Sequence, residues 1–158
     1  LKESAIFDLY DVYREYTIEL MSSIPEEQSS VIPEGFSNSL HWNFGHILVS
    51  QEQSMFNLGL DQSGELPVAT LEAFKRGTSP SDWSGTPLTL SEIQVQLQKQ
   101  KVRIKSTFSG RLGDPAANVF DLGQQRQLKT LGDLFVGSLW HEGLHQGIVD
   151  SIIRSLKL

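Results

Sequence analysis

His141 and His145 stand four residues apart in the run His141-Glu142-Gly143-Leu144-His145. On a helix that spacing sets two imidazoles one turn apart on the same side, close enough to bind one ion. They occupy the middle of a stripe with alternating three- and four-residue steps: Leu131, Leu134, Ser138, His141, His145, Ile148 and Ile152. Such a stripe faces a core. Each buried neutral ring would leave a donor and an acceptor without partners, a cost that a metal removes. Two ligands rarely hold an ion tightly, and the other histidines are His41 and His46. Five residues separate these two, a rotation of about 140° on a helix, so at most one faces the site. His46 lies on the apolar stripe of its segment and His41 in the first turn. The expected metal ligands are therefore His46, His141 and His145.

Three neutral imidazoles leave coordination positions open, the pattern of a reactive site rather than a closed structural one. Nitrogen ligands suit zinc or nickel. Three chemistries are open to such an ion: lowering the pKa of a bound water toward about 7, polarising a substrate oxygen, or stabilising an attacking thiolate. The plain alternative is three hydrogen-bonded core histidines without a metal.

The same run matches H-E-x-x-H, in which two histidines bind zinc and the glutamate is the general base of a metalloprotease. The context argues against that reading. Neither His nor Glu follows His145, and Ser151 stands where the metzincin continuation requires His. Glu142, one residue from His141, turns about 100° away from the pair and reads as a surface group or a support behind the ligands. Glu52 reads as solvated, although Glu52 or Gln53 could orient a ligand or water. Trp42 and Trp140 read as core, and Trp83 as a loop aromatic over the site or a dimer interface. Gly45, Gly143, Gly147 and Ser151 are small enough to permit close helix contact.

Four helical segments must position these residues. The first covers about residues 4–23, with Ile6, Leu9, Tyr13, Tyr16, Leu20 and Ile24 on one face and Pro25 ending it. The second, about 39–58, carries Trp42, His46, Val49, Gln53 and Phe56 and stops before Gly59. A loop rich in Gly, Pro, Ser and Asp follows over 59–88, with one helical turn near Leu71 to Arg76; a loop this long is often functional. The third helix starts at Thr89, which forms a capping box with Glu92, and Leu88 and Ile93 form a hydrophobic staple. Its apolar face is Ile93, Leu97, Ile104 and Phe108, its solvated face Gln96, Lys99, Arg103 and Lys105. A second loop over 110–129 leads to the fourth helix, capped by Thr130 and Asp133 and running to about Leu156. No segment alternates like a strand. The expected fold is all-α, a four-helix bundle with two long connecting loops, in a single domain over residues 1–158.

Composition narrows the function. A hydrophobic fraction of 39% and a charged fraction of 20% are those of an ordinary globular protein. No apolar run approaches the roughly 20 residues that span a bilayer. The absence of cysteine removes disulfides, thiolate nucleophiles and sulfur-ligated metals. A net charge of -6 disfavours a nucleic-acid partner, which needs Lys and Arg to displace counterions. The chain starts at Leu1 without a basic and apolar signal segment, so the reading is cytoplasmic, with an initiator Met and a few residues trimmed.

The segments Leu40-His-Trp-Asn-Phe-Gly-His46-Ile-Leu and His141-Glu-Gly-Leu-His145-Gln-Gly-Ile resemble the DinB-like family and the related YfiT-type metal-dependent hydrolases. Leu90, Ile93 and Leu97 in the third helix and Gly147 after the final pair extend the resemblance over nearly the whole chain. It implies a metal triad at His46, His141 and His145, a bundle of up-down-down-up order, nickel or zinc at one end, and often a homodimer. Relatives include bacillithiol- or mycothiol-dependent transferases and a maleylpyruvate isomerase. The leading expectation is thus a metal-dependent hydrolase, or a transferase of a low-molecular-weight thiol, acting on a small molecule. The alternatives are a metal-binding or ligand-sensing bundle without turnover, in which the ion staples helices two and four, and a metal-free dimeric bundle.

Overall fold

Apolar periodicity and caps lay down most of the chain as helix. A computed structural model describes residues 2–85, 87–123 and 126–158; Leu1, together with Thr86 in the first predicted loop and Gln124 and Gln125 in the second, lies outside the described residues. The elements run α1 (Glu3–Ser22), α2 (Glu26–Ser29), α3 (Leu40–Glu52), a π-helical continuation (Gln53–Leu58), α4 (Val68–Phe74), a 3-10 turn (Pro80–Asp82), α5 (Leu90–Phe108), β1 (Pro115–Asp121), β2 (Gln127–Thr130) and α6 (Leu131–Leu156). Both predicted capping boxes form. The hydroxyls of Thr89 and Thr130 accept from the backbone N–H groups of Glu92 and Asp133, whose carboxylates accept from the threonine N–H groups in return. The architecture is broadly all-α, and α1 and α3 each pack against both α5 and α6. Among the described residues no helix is long and apolar enough to cross a membrane.

The interior is stratified. One apolar cluster gathers Met21, Leu40, Phe44, Ile47, Phe74, Ile93, Leu97 and Val149, and a second gathers Phe7, Met55, Phe56, Ile104, Phe108, Leu134 and Phe135. A polar stratum is buried with them. Arg14 is fully buried and spends five N–H donors on both oxygens of Glu142, the side chains of Gln51 and Gln100, and the Leu97 carbonyl. Such a charge is tolerable only when its donors are all used and its counter-ion is also held. Thr17 accordingly donates to Glu142 at 2.6 Å.

This stratum overturns three sequence expectations. The buried face of α1 is Phe7, Tyr10, Arg14, Thr17 and Met21. The apolar stripe proposed for it lies one position away, and its Leu9 and Tyr16 are 46% and 43% exposed. The polar pair at its centre broke the hydrophobic pattern. Glu52 is buried rather than solvated: its carboxylate accepts from Arg103 at 2.7 Å, Gln100 at 2.8 Å and the Glu65 N–H at 2.7 Å. Arg103, expected on the solvated face of α5, is drawn in by that carboxylate and lies over the Phe56 ring.

The connections differ as well. Gly59 does not stop the second helix; helical backbone continues through Leu60, and Asp61 takes the left-handed conformation at φ 54°. The missing side chain of Gly59 serves packing, since a Cβ there would lie 3.0 Å from Leu131. The second loop contains an antiparallel hairpin, with Phe120 opposite Leu128, Asp121 opposite Gln127 and an irregularity between Pro115 and Phe120. All but one residue of β1 are exposed, so no alternation of apolar and polar residues announces the strand.

Candidate metal centre

α3 and α6 pack against each other and carry the three imidazoles to one point. Ring centroids lie 4.8 Å apart for His46 and His145, 5.1 Å for His46 and His141, and 4.6 Å for His141 and His145. One nitrogen from each lies within 4.8 Å of the others, a group that could hold a metal ion. Three nitrogens about 2.0–2.1 Å from one tetrahedral zinc ion are about 3.4 Å apart, so side-chain rotations that close the group by up to about 1.4 Å complete the site.

Local hydrogen bonds fix which nitrogens face inward. His46 Nδ1 lies 2.7 Å from the Phe74 carbonyl oxygen, which can only accept, so Nδ1 carries the proton and Nε2 the free lone pair. Asn43 does the same for His145. Its amide nitrogen donates to the Ser39 carbonyl at 2.8 Å, which turns Oδ1 toward His145 Nδ1, also at 2.8 Å. Nδ1 of His145 is therefore the donor and Nε2 is free. Supports of this kind orient a ligating imidazole and raise its basicity. His141 has no comparable bond among the described residues. The Ser50 hydroxyl lies 3.2 Å from His46 Nε2 and can satisfy that lone pair when nothing else does.

The Phe74 carbonyl reaches His46 because Gly45 lets α4 approach: a Cβ on Gly45 would fall 2.2 Å from the Phe74 ring. Trp42 stacks on His46 with centroids 4.5 Å apart and planes 13° from parallel. Its indole N–H donates to Thr78 Oγ1 at 3.1 Å, tying the turn after α4 to the same face of α3.

The electrostatics favour neutral ligands. Burial pushes the His141 imidazole down to about 4, and neighbouring His46 adds to the shift. Burial pushes His145 down to about 3, aided by His141 and His46. His46 is lowered chiefly by burial, against the Phe74 hydrogen bond, with the charge of Arg76 assisting. All three are unprotonated near neutral pH, the state a metal requires.

The other singled-out residues lie elsewhere. His41 points away from the triad; its Nε2 lies 2.5 Å from the Leu88 carbonyl, and its ring packs against Trp83. Trp83 covers Phe74 and donates to the Ala73 carbonyl, so it braces α4 from behind. Trp42 is buried as expected, whereas Trp140 is 63% exposed and lines a groove of about 1160 Å³. That groove runs from His46 and His141 past Gln53 to the hairpin. Ile148, placed on the core stripe of α6, is exposed, and His141 and His145 are half-buried at the edge of the core face, where the groove reaches His46 and His141. Of the small residues on α6, Gly143 is close-packed against Tyr13, but Gly147 faces open space and Ser151 is exposed. Glu142 turns from the triad as its position requires, yet it is buried in the Arg14 pair rather than on the surface.

Asn43, Arg14 and the Phe74 carbonyl escaped the sequence reading. Asn43 lies one turn after the helix cap Ser39 and three residues before His46, a face signal that a lone asparagine does not distinguish from solvent exposure. The sequence matches the DinB superfamily over residues 9–149. No curated protein matches it. The match covers most of the chain and includes all three histidines, and the chain therefore belongs to the DinB superfamily.

Proposed function

We propose that His46, His141 and His145 hold one divalent metal ion, zinc or nickel, and that the chain is a metal-dependent enzyme of small-molecule metabolism. Its reaction is hydrolysis or the transfer of a low-molecular-weight thiol of the bacillithiol type. The observation that carries the reading is the convergence of three imidazoles, two with Nδ1 committed to protein acceptors and Nε2 left unprotonated. The bound ion supplies Lewis acidity and a lowered pKa for a coordinated water or thiol. The chain does the rest. Asn43 and the Phe74 carbonyl hold two tautomers, Trp42 fixes the His46 ring and excludes water from one face, and the groove gives a small molecule access to the open side.

The architecture we propose is a four-helix bundle of up-down-down-up order, one domain over residues 1–158, acting in the cytoplasm as a homodimer. The packing of α1 and α3 against both α5 and α6 supports the bundle, and exposed Trp140, Leu144 and Ile148 on α6 support association.

One observation favours a second reading, a metal-binding or ligand-sensing module without turnover. Glu142, the one carboxylate adjacent to the ligands in sequence, is fully engaged by Arg14 and Thr17 and is not placed as a general base. Two measurements decide. Protein purified without a nickel resin should contain about one zinc or nickel per chain, and its melting temperature should rise on metal addition. No bound metal and no thermal shift would reject both metal readings. With metal present, depletion of a bacillithiol-type thiol by a panel of electrophiles should exceed background and be lost in His145→Ala. No rate above background in any member of the panel would favour the module.

A further inference from the structure

The chain is acidic overall, with a net charge of -6, yet its main groove is not. Four of its six arginines have carboxylate partners: Arg14 with Glu142, Arg103 with Glu52, Arg111 with Asp114 and Arg154 with Asp150. The remaining two, Arg76 and Arg126, have no ion-pair partner among the described residues, and both line the groove. The one carboxylate among the lining residues is Asp133, whose oxygen is already taken by the N–H groups of Lys129 and Thr130 at the start of α6. Two arginines against one aspartate give this concave surface of an anionic protein a net positive charge, which concentrates field there and attracts an anion.

The backbone that carries the exposed Arg76 is held in place. Its turn is fastened at the Phe74 carbonyl by His46, at Thr78 by Trp42 and at the Ala73 carbonyl by Trp83. Thr78 in turn donates back to Ala73 and Lys75, and Gly77 takes the left-handed conformation, φ 88°, that closes the turn. The guanidinium thus hangs from a backbone anchored to the triad itself. Beyond it the groove wall is apolar, formed by Leu58, Phe120, Leu128, Leu134 and Trp140.

We propose that this groove binds a small molecule with an anionic group and an apolar body, the anionic group being read by Arg76 beside the triad and the body lying along the wall toward the hairpin. Arg76 is a specificity residue in this arrangement, since a planar fork of N–H donors suits a carboxylate or a phosphate. The proposal rests on the metal reading only for which end of the groove is reactive. It narrows the substrate class from any small molecule to amphiphilic anions.

The test compares phenylhexanoate with its neutral amide, phenylhexanamide, by calorimetry and ligand-observed NMR on metal-free protein, so that the carboxylate cannot be held by a metal. The acid should bind about fivefold tighter than the amide, as for a solvent-accessible ion pair at the upper end of its range. The preference should shrink with added salt. Arg76→Gln should narrow it to within about twofold, with the amide unaffected. Equal affinities in the wild type, no binding of the acid, or a preference that survives Arg76→Gln would overturn the proposal. Zinc titrations of wild type and Arg76→Gln separate the two readings. Zinc binding without acid preference removes the anion site and leaves the metal reading; acid preference without zinc binding does the reverse.

Discussion

At the scale of single residues, the triad depends on two hydrogen bonds that carry no charge. The Asn43 amide, locked by the Ser39 carbonyl, presents its oxygen to His145 and so determines which nitrogen of that ring is free. Asn43→Ala should weaken zinc affinity by roughly 10- to 100-fold, the usual cost of losing a ligand's support. Calorimetry on protein with unchanged helical circular dichroism checks this, and wild-type affinity would rule the support out. The histidines also set a pH dependence for metal-free protein. In the unfolded chain they titrate near about 6.5. Folded, His141 and His145 are pushed down to about 4 and about 3. Between these values the unfolded state binds more protons, so stability rises with pH. Their contribution is complete above about 6.5 and is lost as pH falls toward the folded values. Urea midpoints measured between about pH 7 and pH 4.5 should fall on acidification, and the fall should be shallower in the His141→Gln, His145→Gln double variant. An identical slope would mean that burial does not hold these rings neutral.

At the scale of elements, two contacts place the site, and they differ in how far the sequence reveals them. The helices carrying the histidines were legible, because Thr130 with Asp133 and the three- and four-residue spacing of α6 announce a start and a face. The support from α4 was not. Gly45 was legible as a residue small enough for close contact, but nothing in the order of residues shows that the group it admits is the Phe74 ring of α4. Gly45→Ala should displace α4, cost about 1–3 kcal/mol and lower zinc affinity together, because the Phe74 carbonyl moves with its ring. Stability loss with full zinc affinity would uncouple α4 from the site. The buried face of α1 was hidden for a different reason. Arg14 and Thr17 occupy its centre, and a method that follows apolar residues selects the neighbouring stripe instead. Removing one partner shows the cost of that choice: Arg14→Met should destabilise by about 3–5 kcal/mol by leaving Glu142 buried and unpaired. Arg14→Met with Glu142→Leu should recover much of the loss in denaturant midpoint. A double variant as unstable as the single one would assign the effect to packing.

At the scale of the whole molecule, two apolar clusters and a buried polar stratum leave the histidines at the margin of the core, where one side is packed and the other opens to a groove. Helix content and the identity of the three rings could be read from periodicity and spacing. The hairpin could not, because β1 is exposed almost throughout and pairs through backbone rather than through an apolar face. The groove was equally hidden, being assembled from α3, α6, the turn after α4 and the hairpin, which only the tertiary arrangement brings together. The central claim is that three imidazoles share one ion. Crystals grown with zinc, measured at the zinc absorption edge, test it most directly. The account predicts one anomalous peak per chain, about 2.0–2.1 Å from a nitrogen of each of His46, His141 and His145. A peak held by other residues, a peak reached by only two of these rings, or none at all would contradict it.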